Sequence, residues 1–247
     1  MITRAEVEKL GALHAVEPAM LSLYLAVPPP PADLSVLTAR AGELMDAAEA
    51  ASGRAVAEQD RNAVREKLAA CARDWPGPTV AIFACAGSGL LEAIPLPCPL
   101  PERGVLGIRP HIRPLLLARQ RRAGPQARRA AAEIQARRVA AEILAMPRGG
   151  RSAVGLRACL AAVSAGAVQT LVVPGDGLVQ GYECGRCGTL SLDADTCCPD
   201  WGTAALPVPD VIEEMVVRIL EDGGEVWVIS DGSSPVAARL SGPVPQP

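Results

Sequence analysis

Aromatic side chains are almost missing from this chain: among 247 residues there are three Trp, two Tyr and one Phe. A core must therefore come from Leu, Val, Ile and Ala, the larger of which stabilise by roughly 1.5–3 kcal/mol each when buried. With 49% hydrophobic residues there is enough apolar material for such a core. Lysine occurs only at positions 9 and 67, so the basic side chains are nearly all Arg. Histidine occurs only at 14 and 111, with no motif around either, which leaves no stock for a Ser/His/Asp or Cys/His arrangement. Gly87-Ser88-Gly89 follows an apolar run but lacks the further glycines, Lys and Thr of a phosphate loop, so it reads as a turn. A net charge of −3 gives no global nucleic-acid signature.

The N-terminal residues lack the apolar stretch of a signal peptide. The longest uncharged run, Ala158 to Gly175, is interrupted by Gly166, Gln169 and Pro174. It reads as a buried helix, a turn and a strand instead of a membrane span. The expectation is a soluble, cytoplasmic protein with no membrane partner. Eight cysteines without a secretion signal point to thiols or a metal, not to a disulfide framework.

Along the chain, residues 21–27 read as a strand stopped by Pro28 to Pro31. Asp33 is placed to cap a helical stretch, 34–74, broken near Ser52-Gly53. Thr79 to Cys85 reads as a buried strand, with 90–95 its hairpin partner. Residues 95–114 are proline-rich and expected to be irregular. A helix over 154–165, a strand over 168–173, a helix opened by Asp210 with Glu213 three residues on, and a strand over 225–230 follow. The predicted fold class is α/β, in two small α/β modules, the C-terminal one an α-β-α sandwich with an inserted cysteine knuckle. The expected domains are 1–118, an Arg-rich helical linker at 119–150, and a second domain at 151–240. The knuckle occupies 182–203 and a flexible tail 241–247.

In the knuckle, Cys184-Gly185-Arg186-Cys187-Gly188 makes a good Cys-x-x-Cys turn. Two such pairs would hold a zinc tetrahedrally. The second reads Cys197-Cys198-Pro199-Asp200-Trp201-Gly202, so Trp201 stands where a fourth thiolate belongs. Cys184, Cys187, Cys198 and Cys197 are the candidate metal ligands for one structural zinc. Asp193, Asp195 or Asp200 could supply an oxygen instead, or the knuckle is a relic in which Trp201 packs over reduced thiols. A catalytic zinc is not expected, because no His lies nearby to ligate it or act as base.

Residues 119–157 hold ten Arg against Glu133 and Glu142. Arg121, Arg122, Arg128, Arg129, Arg137 and Arg138 are the candidate RNA contacts, since phosphates need only cations within reach. At about 100° per residue they point around a helix instead of sharing one face, so a solvated helix is the alternative.

Two groups of segments, taken in order, resemble bacterial relatives of the archaeal and eukaryotic class-I peptide-chain release factors. Ser22-Leu23-Tyr24-Leu25, Ala81-Ile82-Phe83-Ala84 and Leu91 to Pro97 resemble that family's N-terminal module. Val154-Gly155-Leu156, Gly166 to Leu171, the knuckle and Asp210 to Glu214 resemble its third module, which is similar to proteins that bind kinked RNA. The resemblance implies association with the ribosome or structured RNA, and a translational GTPase or other protein as a further partner. The family's middle module, with its hydrolytic Gly-Gly-Gln loop, has no counterpart here. Gly149-Gly150-Arg151 lies in the wrong module. The expectation is a protein without peptidyl-tRNA hydrolysis activity. The alternative is a protein–protein interaction module whose knuckle is only a staple.

Overall fold

Leu21, Leu23 and Leu25 alternate with Met20, Ser22 and Tyr24, and both sets are buried, so this strand needs cover on both faces. The computed structural model describes residues 3–15, 19–29, 31–121, 126–147, 150–193, 205–230 and 235–242, with only the backbone of 126–129. The chain divides into two compact units, Met1–Ala123 and Gly124–Pro247.

In the first unit β1 (Met20–Ala26) lies between β2 (Thr79–Cys85) and β4 (Arg103–Gly107), and β3 (Leu90–Leu96) forms the far edge. All pairings are antiparallel. On one face Leu21, Leu23, Leu25, Val80 and Ile82 pack beneath α2 (Leu34–Ser52) and α3 (Glu58–Arg73). On the other face the Tyr24 hydroxyl donates to the His111 carbonyl and Ser22 Oγ accepts from the His111 N–H at 2.9 Å. The Tyr24 ring meets Phe83 and His111 edge-on at 6.1 and 6.3 Å. Among its described residues the unit also holds α1 (Arg4–Gly11) and α4 (Arg113–Gln120). The helix pair broken at Ser52-Gly53 and the β2–β3 hairpin match the sequence reading. β4 replaces the irregular structure expected over 95–114.

The second unit holds a mixed sheet in the order β10 (Glu225–Ile229), β6 (Val168–Pro174), β11 (Ala237–Leu240), β5 (Ser152–Val154). β6 and β10 are parallel, and β11 is antiparallel to β6 and β5. α5 (Gln126–Leu144) packs on one face through Ala136, Val139, Ala140 and Ile143, which meet Val172, Trp227, Ile229 and Ala237. The opposite side carries α6 (Leu156–Ser164) and α7 (Val211–Glu221), giving the α/β, three-layer arrangement expected. The helix expected from 154 starts at 156 because Ser152–Val154 pairs with β11 as a strand. Residues 126–144, assigned above to a linker, instead supply one outer layer of this unit: their apolar side chains recur at i, i+3, i+4 and i+7 and are buried. Among the described residues no helix is long and apolar enough to cross a membrane.

One buried charge stands out. Asp60, 3% exposed in the first turn of α3, accepts a hydrogen bond from the Ala86 N–H at 3.2 Å, tying α3 to the turn between β2 and β3. Burial raises its pKa above the ordinary 3.8, outweighing that hydrogen bond. A carboxyl whose folded pKa is raised loses stability as pH climbs through the interval above 3.8. Asp60→Asn is thus expected to raise the melting temperature by a few degrees at neutral pH, with the gain shrinking as pH falls toward that value. A gain independent of pH in thermal melts would contradict this account.

Candidate functional site

The knuckle begins where β6 ends. Its described part is a three-stranded sheet, β8 (Leu190–Ser191), β7 (Gly181–Cys184), β9 (Ala205–Val208). Cys184 ends β7 and Cys187 sits in the turn that leads on to β8. The Cys184 N–H donates to the Thr189 carbonyl at 2.9 Å and the Gly188 N–H to the Cys184 carbonyl at 2.8 Å. Gly188 has φ of 72°, a left-handed conformation that glycine adopts without penalty. Cys184 is buried and Cys187 exposed, with its Sγ 3.1 Å from Thr189 Oγ1. Cys197, Cys198, Asp195, Asp200 and Trp201 lie outside the described residues. The chain rejoins them at Ala205, which pairs in register with Cys184.

Arginines anchor this small sheet to the helices beside it. Arg218 of α7 donates to Glu183 Oε1 at 2.8 Å and to the Gly188 carbonyl, at the base of the cysteine turn. The Arg218 and Glu183 side chains are only 19% and 17% exposed, so this pair is screened less than a surface pair. Arg157 of α6 meets Asp193 through two hydrogen bonds, at 2.8 and 3.2 Å. That contact holds the Asp193 carboxyl below the usual aspartate range and raises the Arg157 guanidinium. β7 also lies tight against α7: a Cβ on Gly181 would fall 2.5 Å from Val211 Cβ, closer than packing allows. Val179 exchanges hydrogen bonds with the start of α7, donating to Asp210 Oδ1 and accepting from the Val211 N–H. Asp210 caps α7 as the sequence suggests, accepting from the Ile212 N–H at 3.2 Å.

The sequence reading missed these anchors. Arg218 did leave a signal, as the one basic residue in an otherwise apolar and acidic helix, Val211 to Glu221.

Could the turn serve a metal? Two cysteines in one glycine-containing turn suit half of a tetrahedral thiolate site. Cys184 and Cys187 would hold a zinc on this side, and the ion would cross-link the β7–β8 turn to the segment carrying Cys197 and Cys198. The other described cysteines, Cys71, Cys85, Cys98 and Cys159, are buried thiols. Burial pushes Cys71 up to about 11 and Cys159 up to about 12, which leaves them protonated and unreactive.

The candidate RNA-contacting arginines do not form one set. Arg121 closes α4 in the first unit, while Arg137 and Arg138 belong to α5 in the second. Arg122 lies outside the described residues, as do the side chains of Arg128 and Arg129. Arg137 is 53% exposed and pairs with Glu133 at 3.2 Å, one helical turn back. Arg138 is 71% exposed and pairs with Glu142 at 3.1 Å, one turn on. Glu142 also meets Arg239 of β11 at 3.3 Å, and Glu133 accepts from the Ser230 hydroxyl and N–H. Exposed pairs of this kind contribute about 0.2–1 kcal/mol, so a phosphate could replace either acid at small cost.

No protein-family model matches the chain and no curated protein matches it significantly. Among solved structures, the C-terminal domain of a peptide chain release factor from Methanosarcina mazei is similar at 18% identity, covering 46% of this chain and 83% of that one, with a TM-score of 0.32. A structure described as an archaeal protein aligns at 13% identity over 99% of both chains, with a TM-score of 0.28. The archaeal translation termination factor aRF1 aligns at 14% identity over 97% of this chain and 98% of that one, with a TM-score of 0.27. At these scores the functional reading rests on the chain's own residues.

Replacing Arg218 with Ala strands the Glu183 carboxylate and the Gly188 carbonyl. It is expected to cost about 1–3 kcal/mol and to speed hydrogen exchange of amides 183–189 before the rest of the unit. Uniform exchange across the unit would remove Arg218 as the anchor. If the knuckle holds zinc, Cys184→Ser should lower metal stoichiometry and melting temperature together. Unchanged values in metal-replete protein would show that these thiols hold none.

Proposed function

We propose that this chain is a release-factor-like translation protein that associates with the ribosome or structured RNA in the cytoplasm. It does not itself hydrolyse peptidyl-tRNA. The observation that carries this reading is the place of the knuckle. It interrupts a β6–α7–β10 crossover, between a parallel strand and the capped helix, in the order of the third release-factor module. The absence of any Gly-Gly-Gln in the sequence supports the non-hydrolytic part. On this reading it acts beside a separate hydrolase, occupying a site or recruiting a partner such as a translational GTPase.

One observation favours a second reading, a protein-binding module with a structural knuckle. Arg137 and Arg138 already have carboxylate partners on their own helix, so the exposed side of α5 carries less free positive charge than the count of arginines suggests.

Co-sedimentation with ribosomes at low and high salt separates the two. Association that fades as salt rises is expected, because each phosphate contact releases a counterion. Changing Arg128, Arg129, Arg137 and Arg138 together to Gln should weaken binding and flatten its salt dependence if α5 makes the contact. Failure of the unaltered protein to pellet at low salt would exclude the ribosome reading and favour a protein partner.

A further inference from the structure

β3 ends the first unit's sheet, and no described strand pairs with its outer edge. The parity of its backbone can be worked out from its neighbours. The Val27 N–H donates to the Pro78 carbonyl, so even-numbered backbone groups around β2 face β1 and odd-numbered ones face β3. The β2–β3 register pairs Thr79 with Leu96, Ala81 with Ile94 and Phe83 with Glu92. Leu90, Glu92, Ile94 and Leu96 therefore spend their N–H and C=O groups on β2. Leu91, Ala93 and Pro95 turn theirs outward. Pro95 agrees independently, because a proline in a sheet is tolerated where its nitrogen faces away from the ladder. No hydrogen bond within the described residues reaches that outer edge.

A groove of about 360 Å³ runs beside this edge, between β3 and α1. Lys9, Leu10 and Leu13 form its wall and Glu92, Ile94 and Pro95 its strand side. The side chains of Lys9 and Glu92 make no hydrogen bond or ion pair with other described residues. The remaining acid, Glu6, is taken by the cap of α1, where it accepts from the Thr3 N–H. The groove therefore presents one free cation, one free anion and an apolar strip among its described residues. A long, nearly uncharged edge strand is a template for pairing unless something covers it.

We propose that this edge pairs with the same edge of a second copy of the chain, antiparallel about Ala93, joining two four-stranded sheets into one. The groove favours a second copy over an unrelated peptide because its free charges are complementary to each other. A two-fold axis at Ala93 sets Glu92 opposite the partner's Ile94, in the groove whose wall carries the partner's Lys9. Each Lys9 then finds a carboxylate and each Glu92 an ammonium. Ala93 exchanges both backbone hydrogen bonds with the partner's Ala93, and the Leu91 N–H donates to the partner's Pro95 carbonyl. Pro95 lacks only a donor, so it narrows the ladder without blocking it.

The test is the mass of the full-length chain in solution, by sedimentation velocity over a dilution series. A dimer that dissociates on dilution is expected. Glu92→Lys, at an exposed position, should leave monomer alone, and adding Lys9→Glu should restore the dimer. Ala93→Pro removes an outward N–H while sparing the β2 ladder, so it should give monomer with the melting temperature of the unaltered chain diluted to monomer. A monomer at every concentration of the unaltered chain overturns the proposal. So does a dimer that persists in both Glu92→Lys and Ala93→Pro.

Discussion

The parallel pairing of β6 with β10 is the constraint from which the second unit is built. Two parallel neighbours cannot be joined by a tight turn, so the chain must cross the sheet between them, and α7 makes that crossing. The helix then has to bury an apolar face on β6 and β10 while standing next to α6 and reaching β8. Its sequence, Val211-Ile212-Glu213-Glu214-Met215-Val216-Val217-Arg218-Ile219-Leu220-Glu221, is apolar over far more than the stripe a surface helix needs. Because the crossing also has to carry the knuckle, the start of α7 is pinned to the chain entering it, at Val179 and Asp210. The middle of the helix grips the cysteine turn through Arg218.

That grip changes what the knuckle can do. A hairpin hanging from two loop ends would take its orientation from a metal alone. Here two arginines on two helices hold it, one contact partly buried and one exposed. The orientation of Cys184 and Cys187 is therefore fixed by the sandwich before any ion is considered. A zinc at this site would cross-link the knuckle internally, and the contacts at Glu183 and Asp193 would still dock it on the sandwich.

The elements legible in the sequence were those whose apolar runs are long enough to show a period. β1, β2, β6, β10 and α7 belong to this class, as do α2 and α3 with their break at Gly53. The missed elements are short or sit in misleading company. β5 has three residues and β11 has four, too few to show alternation, and both find their partners far away in sequence. β4 is hidden among prolines at 95–101 and 110–114. α1 carried a readable signal, Thr3 followed by Glu6, and the structure realises it as a full capping box. For the candidate site, the Cys184–Cys187 turn was legible from spacing and glycines alone. The arginine segment was legible only as charge, because the carboxylates that pair with Arg137 and Arg138 matter through geometry that a count of charges ignores.

The fate of α5 shows why composition misleads at such places. Ten arginines in a short stretch suggest a free basic arm, but a helix with a second apolar face need not be free. Ala136, Val139, Ala140 and Ile143 are small or medium side chains, each unremarkable in an Ala-rich sequence, yet their spacing gives one continuous strip. Burying that strip fixes which arginines point outward. It also explains the acids: Glu133 and Glu142 flank the strip, bond to Ser230 just past β10 and to Arg239 of β11, and neutralise the two arginines beside them. The helix is thus bound to its sheet by packing first and by charge at its margins. Any RNA contact it makes must compete with those margin pairs.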